Sequence, residues 1–392
     1  MILFVNNGWA YRGISGGDLH VIEVASRWSH IQAIGIAMPQ WAYQLHAERL
    51  RGIQLLPSGL FEAKPPRFAT TILLRYLLRS ASNLRARSQL VVAASHYPYD
   101  LIPATVISRK RRVPLVVYVF HLTSMFRKKG PRAALTSRWE NISINLLRQA
   151  IVLADNDDVV RELISRGLSR SSVLRTWNAP TVKPDNVRET RRRDEVVFCH
   201  RIADSKGWQD LVVIGERLRE KRPGTCLRVL GDGPRRSNLE RALRDARLSD
   251  VVRVEGFVDE ETKWSALQRC AVFISTSREE GWGIAVGEAL AAGAPVVGYD
   301  LPVYREVHGE RGMHLVPSGD VEKFADTVVQ LLNSNRATDS VAQPSEVDES
   351  PTTWDQIAHY EHRIVRGLLD ANAGKPPTSS SSADDDHKNE LT

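Results

Sequence analysis

The chain has 392 residues, 42% of them apolar and 25% charged, too long for one compact core and typical in composition of a soluble globular protein, which excludes a fibrous or low-complexity chain. Its net charge of +7 hides an asymmetry: residues 1–185 hold 25 Lys and Arg against 11 Asp and Glu, a balance of +14, while the remainder carries −7, so the basic half needs its own explanation. No apolar run approaches the roughly 18 residues of a membrane span, no leader precedes the first strand, and Cys199, Cys226 and Cys270 form neither a zinc motif nor a disulfide framework, so a cytoplasmic chain with structural thiols is expected.

Residues 1–5 read as a strand, and after a loop of small residues Gly16-Gly17 opens a helix expected over 18–29, with Leu19, Ile22, Val24 and Ala25 apolar. A glycine pair there lets a phosphate or sugar approach the helix N-terminus; a plain turn is the competing reading. A strand at 33–37, a helix at 68–84 carrying Arg75 and Arg79, and near-continuous apolar strands at 90–94 and 115–120 follow. His121 comes directly after the last of these, where a side chain faces the crevice of a parallel sheet, although a structural histidine is the commoner case.

A helix at 138–149 and a strand at 150–154 lead to Asp155-Asn156-Asp157-Asp158. The Asp-x-Asp spacing invites a divalent-cation site, but acidic residues before a helix expected over 159–166 cap it and oppose its dipole, which is the favoured reading, so no metal is expected. Residues 181–194 are polar, with Pro180 and Pro184 as breaks, and suit a linker. A second alternation then runs as strands at 196–199, 226–230, 251–254, 271–274 and 295–299, with helices at 211–221, 237–246, 261–268, 284–292 and 321–333. Strand alternating with helix twice over predicts an α/β protein of two doubly wound, Rossmann-like domains facing each other across a cleft. The expected division is 1–180, a linker at 181–194, a second domain at 195–335, a helix within 352–370 and a disordered tail at 371–392 rich in Pro, Ser and Asp.

The second half is organised around residues 275–300, S-T-S-R-E-E-G-W-G-I-A-V-G-E-A-L-A-A-G-A-P-V-V-G-Y-D, with Glu280 in a loop, Glu288 on a helix and seven residues between them. Gly281 and Gly283 flank Trp282, so the backbone can approach a ligand closely. A fixed carboxylate accepts two hydroxyl hydrogen bonds, so the pair suits a polyol; two ordinary solvated glutamates are the bland alternative. Upstream, H-R-I-A-D-S-K-G places Arg201 and Lys206 after the first strand of this half, where a guanidinium and an ammonium can neutralise two phosphates without a metal, exposed loop cations being the alternative.

The stretch closely resembles the E-x7-E signature of the retaining family 4 glycosyltransferases, which have the GT-B fold. The resemblance implies that Glu280 contacts a donor sugar together with the backbone of Trp282 and Gly283, with Ile284 beside them, and that Glu288 holds the nucleotide ribose. It further implies that Arg201 and Lys206 grip the diphosphate, that Gly16 and Gly17 lie across the cleft from the donor, that His121 faces the donor sugar, and that Phe257 and Val258 lie around the base. Glu306 keeps the family's acidic position. Two departures stand out: His200 replaces the usual glycine before Arg201, and residues 300–306 replace a glycine-pair loop.

The implied activity is transfer of a hexose from a nucleoside diphosphate sugar to a hydroxyl of a glycan or lipid-linked acceptor, with retention and no cofactor. Since no second carboxylate is placed as an evident nucleophile, front-face attack assisted by the leaving phosphate is expected over double displacement. A nucleotide-sugar epimerase of the same shape and a catalytically silent glycan-binding scaffold are the competing readings; intact Glu280, Glu288, Arg201 and Lys206 argue against the second. Basic runs at 64–67, 109–112 and 127–132, with Arg75, Arg79, Arg85 and Arg87, lie among Leu73, Leu74, Leu77, Leu78 and Phe126. They predict docking on an anionic membrane surface. No aromatic-and-basic recognition motif for nucleic acid is present.

Overall fold

The computed structural model describes residues 1–7, 15–57, 87–122, 131–180, 192, 194–309, 312–334 and 351–373. The first lobe is built on seven parallel strands: β1 (Ile2–Val5), β2 (Ile34–Met38), β3 (Gln54–Pro57), β4 (Leu90–Ala93), β5 (Leu115–Val119), β6 (Ile151–Ala154) and β7 (Val173–Arg175), in the order β3-β2-β1-β4-β5-β6-β7. Helices α1 (Gly16–Trp28), α2 (Gln40–Leu45), α3 (Pro98–Arg111), α4 (Pro131–Leu147) and α5 (Asp157–Ser165) connect them. Alternate residues of one strand enter different cores: Ile2 and Phe4 join one buried cluster, Leu3 and Val5 another. That two-sided burial explains the unbroken apolar runs.

The second lobe repeats the plan with β8 (Glu195–Cys199), α6 (Asp210–Lys221), β9 (Cys226–Leu230), α7 (Arg236–Asp245), β10 (Val252–Gly256), α8 (Glu260–Arg269), β11 (Val272–Ser275), α9 (Ile284–Ala291), β12 (Val296–Tyr299), α10 (Pro302–Val307), β13 (Met313–Val316) and α11 (Val321–Asn333). Its parallel strands run β10-β9-β8-β11-β12-β13. In each sheet the winding reverses beside the first strand, between β1 and β4 and between β8 and β11, and the crevices that bind ligands open there at the carboxyl ends of the strands.

Helix α12 (Trp354–Ala373) returns to the first lobe. Trp354, Ile357, Ala358 and Val365 enter the core beside α1, and Trp28 Nε1 donates to the Ala358 carbonyl at 2.9 Å. Glu361, fully buried, is tolerated because it is saturated with partners: the Tyr118 hydroxyl at 2.6 Å, His20 Nε2 at 2.9 Å and the Thr176 hydroxyl.

Several expectations shift. Helix α1 starts at Gly16, so the glycine pair is its first turn and not a junction before it, and Ser15 and Asp18 form a reciprocal capping box. Helix α5 starts at Asp157 and its cap is the amide of Asn156, whose Oδ1 accepts from Val159 N–H at 2.8 Å, with Asp157 and Asp158 in the first turn. Helix α12 runs on to Ala373, into the stretch expected as tail. The helix expected at 68–84, linker residues 181–191 and 193, the basic residues of 64–67, Arg75, Arg79, Arg85 and 127–130, and residues 374–392 lie outside the described residues.

Candidate active site

The loops that follow β8 and β11 meet at the second lobe's crevice. After β8 the chain makes a short 3-10 turn ending in Lys206; after β11 it passes through the fully buried Ser275, Thr276 and Ser277 before reaching Glu280. Thr276 Oγ1 donates to the carbonyls of Lys206 (2.8 Å) and Gly207 (3.1 Å), and Arg278 N–H donates to the Ser205 carbonyl at 2.8 Å, so each loop fixes the other. The result brings Lys206 Nζ to 2.6 Å from Glu280 Oε1, which also accepts from the Ser277 hydroxyl at 2.7 Å. Burial works to raise the Glu280 pKa, but Lys206, His200 and Ser277 outweigh it and hold the carboxyl below its ordinary value, as an anion.

Glu288, eight residues further on in the middle of α9, is also paired with a lysine, Lys263 of α8, at 2.9 Å. Its environment acts in the opposite direction. Burial raises the Glu288 pKa and Lys263 only partly counters it. One ammonium leaves acceptor positions of this carboxylate unfilled, which is the state a vicinal diol would complete.

The loop between the two glutamates is held from within the protein. Gly283 caps α9 with φ of +82°, a conformation that favours glycine, and a Cβ there would stand 2.7 Å from the Tyr304 ring. The Trp282 carbonyl accepts from His308 Nε2 at 2.9 Å; burial pushes this histidine down to about 4, against its hydrogen bonds to Trp282 and Gly283, so it is neutral at pH 7. Gly281 faces the other lobe, and a Cβ there would come within 2.9 Å of the Phe120 carbonyl oxygen. The space that these glycines leave open is thus filled by protein.

The other expected residues are distributed around this centre. Arg201 is exposed just past β8. His121, half-buried after β5, bonds the Tyr97 hydroxyl through Nε2 at 2.9 Å. Gly16 lies under Ile284 of the opposite lobe, where a Cβ would be 2.9 Å from Ile284 Cδ1, and Gly17 lies against the Phe120 ring. Phe257 is 64% exposed after β10, whereas Val258 packs on the core of the second lobe. The Glu306 carboxylate accepts from the Asp157 N–H at 2.9 Å and from Arg175 at 2.8 Å, both in the first lobe. His200, buried beneath Glu280 with Nδ1 3.9 Å from its Oε1, is pushed down to about 4 by burial, with Glu280 raising and Lys206 lowering it; its Nε2 has no hydrogen-bond partner.

Sequence reasoning missed Lys263, Ser277, His308, Asn156 and Arg175. Only Ser277 was within reach, since a hydroxyl three residues before a loop carboxylate can bond it; the others arrive from distant elements. Among the described residues no group of three or more His, Cys, Asp and Glu side chains is arranged to hold a metal.

Residues 183–346 match the family described as glycosyl transferases group 1. The 2-deoxystreptamine N-acetyl-D-glucosaminyltransferase of Niallia circulans is 31% identical over 273 residues, 64% of this chain and 68% of that protein. The chain belongs to the group 1 glycosyl transferases. A glycogen synthase of Mycobacterium tuberculosis is 28% identical over 60% of this chain and 58% of its own length. Among solved structures, Anabaena HepE in complex with UDP and glucose superposes with a TM-score of 0.71 over 93% of this chain and 99% of that one at 16% identity. The sucrose-phosphate synthase of Thermosynechococcus elongatus gives 0.71 over 94% and 99% at 15%. The fold of this glycosyltransferase is GT-B. Among its described residues no helix is long and apolar enough to cross a membrane.

Proposed function

We propose that this group 1 glycosyl transferase moves a hexose from a nucleoside diphosphate sugar to a hydroxyl of a glycan or lipid-linked acceptor, with retention at the anomeric carbon and without a metal. The observation that carries the reading is the contact of Lys206 with Glu280 at the β8/β11 crevice, 2.6 Å long. It puts a cation and an ionised acceptor side by side where a sugar phosphate ester presents hydroxyls next to negative charge.

In this reading Arg201 and Lys206 compensate the diphosphate, Glu280 accepts from a donor-sugar hydroxyl, Glu288 accepts from the ribose diol, Phe257 covers the base and His121 faces the sugar from the first lobe. The bond from the anomeric carbon to the phosphate oxygen breaks as the acceptor oxygen adds on the same face, and the acceptor proton passes to the departing phosphate oxygen. The charge that grows on the diphosphate is what Arg201 and Lys206 stabilise. HepE was solved with UDP and glucose, which makes UDP sugars the first donors to try.

A thermal-shift panel of UDP, GDP and ADP sugars identifies the donor, because a ligand bound only by the folded state raises its melting temperature. Transfer of labelled sugar to polyhydroxylated acceptors, undiminished by EDTA, is expected. Conversion of the sugar without any acceptor would establish an epimerase instead, and activity lost to EDTA and restored by manganese or magnesium would overturn the metal-free reading.

A second part of the proposal concerns location. Residues 109–112, Arg-Lys-Arg-Arg, are exposed at the end of α3, and with the +14 balance of residues 1–185 they support docking of the first lobe on the anionic cytoplasmic face of a membrane.

A further inference from the structure

The loop that carries Glu280 is held by both lobes. From the first lobe, Asn156 Nδ2 donates to the Gly281 carbonyl at 3.1 Å. Beside it, Glu306 of α10 accepts from the Asp157 N–H at 2.9 Å and from Arg175 of β7 at 2.8 Å, and Arg175 Nε lies 3.3 Å from Asp157 Oδ1. The fit across the seam is close on both sides. A Cβ on Gly281 would approach the Phe120 carbonyl to 2.9 Å, and one on Gly16 would approach Ile284 Cδ1 to 2.9 Å, so each lobe gives up a side chain where the other one enters.

Asn156 is not free to move. Its Oδ1 caps α5, and its Nδ2 also donates to Asp155 Oδ1 at 3.1 Å. Asp155 Oδ2 accepts from Asn178 at 2.9 Å, Asn178 Oδ1 bonds His20 Nδ1 at 3.0 Å, and His20 Nε2 bonds Glu361 on α12 at 2.9 Å. The amide that reaches the Glu280 loop is therefore the end of a buried chain of polar contacts anchored in the returning helix.

We propose that Asn156, gripping the donor-sugar loop, and Arg175, gripping Glu306 of the neighbouring α10, are positioning residues that latch the first lobe to the second, so that the sugar site is completed only when the lobes are closed, while the diphosphate and ribose contacts belong to the second lobe alone. The inference rests on the proposed roles of Glu280, Lys206 and Glu288. It follows from where the partners sit. Lys206, Arg201, Lys263 and Glu288 all reach their positions from elements of the second lobe, whereas the peptide next to Glu280 takes a hydrogen bond from the first. A nucleoside diphosphate then binds the open form, and the sugar is oriented for transfer only on closure.

The latch separates two readouts that a general loss of structure would move together. Asn156→Ser keeps an oxygen to cap α5 and loses the reach to Gly281; Arg175→Ala removes the guanidinium from Glu306, and Arg175→Lys restores a charge. For each of the first two, kcat for sugar transfer is expected to fall about tenfold or more, with nucleoside diphosphate affinity by calorimetry within about twofold of wild type. Arg175→Lys is expected to recover part of kcat. Small-angle scattering of the Asn156→Ser/Arg175→Ala double variant is expected to give a larger radius of gyration than wild type. Unchanged kcat and radius of gyration would overturn the latch, as would parallel loss of kcat and diphosphate affinity in Asn156→Ser. Wild-type protein inactive with every nucleotide sugar would sink the transferase roles alone, because the scattering measurement still reads the latch.

Discussion

Two lysine–glutamate pairs lie a short way apart in the second lobe and differ in what they leave available. Lys206–Glu280 joins two loops at 2.6 Å, with the Ser277 hydroxyl as a second donor, and its carboxyl is held below the ordinary range. Lys263–Glu288 joins two helices at 2.9 Å, and burial raises its carboxyl despite the lysine. A salt bridge is thus not one kind of object. With two donors the carboxylate is a settled anion whose lysine can turn to a new partner; with one donor in a dry site it is an anion short of hydrogen bonds, improved by any hydroxyls that arrive. The first arrangement suits a group that must accommodate changing charge, the second a group that recognises a diol.

That contrast is broken most sharply at Glu280. Glu280→Ala is expected to lower transfer by about 10²–10³-fold or more, as for loss of a group bound to the reacting sugar. Nucleoside diphosphate affinity should hold or improve, since Lys206 is released from its partner. Labelled-sugar transfer and calorimetry measure the two, and a large fall in diphosphate affinity would put Glu280 on the phosphates.

Lys206→Ala should act in the reverse sense. Removing a charge-assisted contact costs on the order of 1.5–3 kcal/mol, so the nucleoside diphosphate should bind roughly ten- to a hundredfold more weakly. Equal affinity in Lys206→Ala and Glu280→Ala would erase the distinction between cation and acceptor.

Glu288→Gln is expected to have a smaller effect, about 0.5–1.5 kcal/mol in nucleoside diphosphate affinity, roughly two- to tenfold. Its signature is selectivity. Wild type should prefer the ribonucleotide to the 2′-deoxyribonucleotide, and the variant should not; a preference that survives would place the ribose elsewhere.

Much of this fold is legible in the amino-acid sequence. Apolar runs with two-sided burial announced β1, β4, β5 and β11, and the alternation with helices announced the doubly wound lobes. The candidate pairs Glu280/Glu288 and Arg201/Lys206 could be picked out because each lies within one short stretch of chain; that the loops of the two pairs meet is not written in their spacing. What stayed hidden came from two causes. Strands β3 (Gln-Leu-Leu-Pro), β7 (Val-Leu-Arg) and β13 (Met-His-Leu-Val) are short and carry a polar or breaking residue in place of a continuous apolar run, and α3 opens on Pro98 and holds Pro103, so neither period nor breaker signals marked them. Lys263, His308, Asn156 and Arg175 act through partners 25 to 131 positions away, and a single chain of letters holds no record of which distant loops will touch. The reading of Gly281 and Gly283 as openings for a ligand followed from local logic; the Phe120 carbonyl and the Tyr304 ring use that space.

A third carboxyl extends the comparison into the first lobe. Asp155 accepts from the side-chain amides of Asn156 and Asn178, and burial pushes it up to about 8 against the pull of Arg175 and His20. The folded chain therefore keeps a proton that the unfolded chain releases near pH 4. Its contribution to stability is fully present below that pH and is lost as pH rises toward and through about 8. Melting temperatures from pH 5 to 9 should decline less steeply in Asp155→Asn than in wild type, and identical slopes would show that Asp155 is ionised throughout.

The contrast between matched and surplus charge also holds between the lobes, and it leads to the gentlest of the expected effects. In the second lobe cations meet carboxylates: Arg228 pairs with Glu195 and Glu255, and Arg217 with Glu322 and Asp326. Residues 1–185 hold too few acids for that, 11 against 25 Lys and Arg, which leaves a surplus of positive charge that an anionic surface would attract. Each basic side chain near an anionic leaflet contributes about 1 kcal/mol, and the four of residues 109–112 are exposed together at the end of α3. Wild-type protein should sediment with phosphatidylserine vesicles at low salt and release as ionic strength rises, because screening shortens the reach of these charges. Replacing residues 109–112 by alanine should weaken that binding and leave transfer to a water-soluble acceptor unchanged, since these residues precede β5, at the amino edge of the sheet, whereas His121 and the crevice lie at its carboxyl edge. Equal binding to neutral and anionic vesicles, or none to either at low salt, would mean that the surplus charge has some other partner.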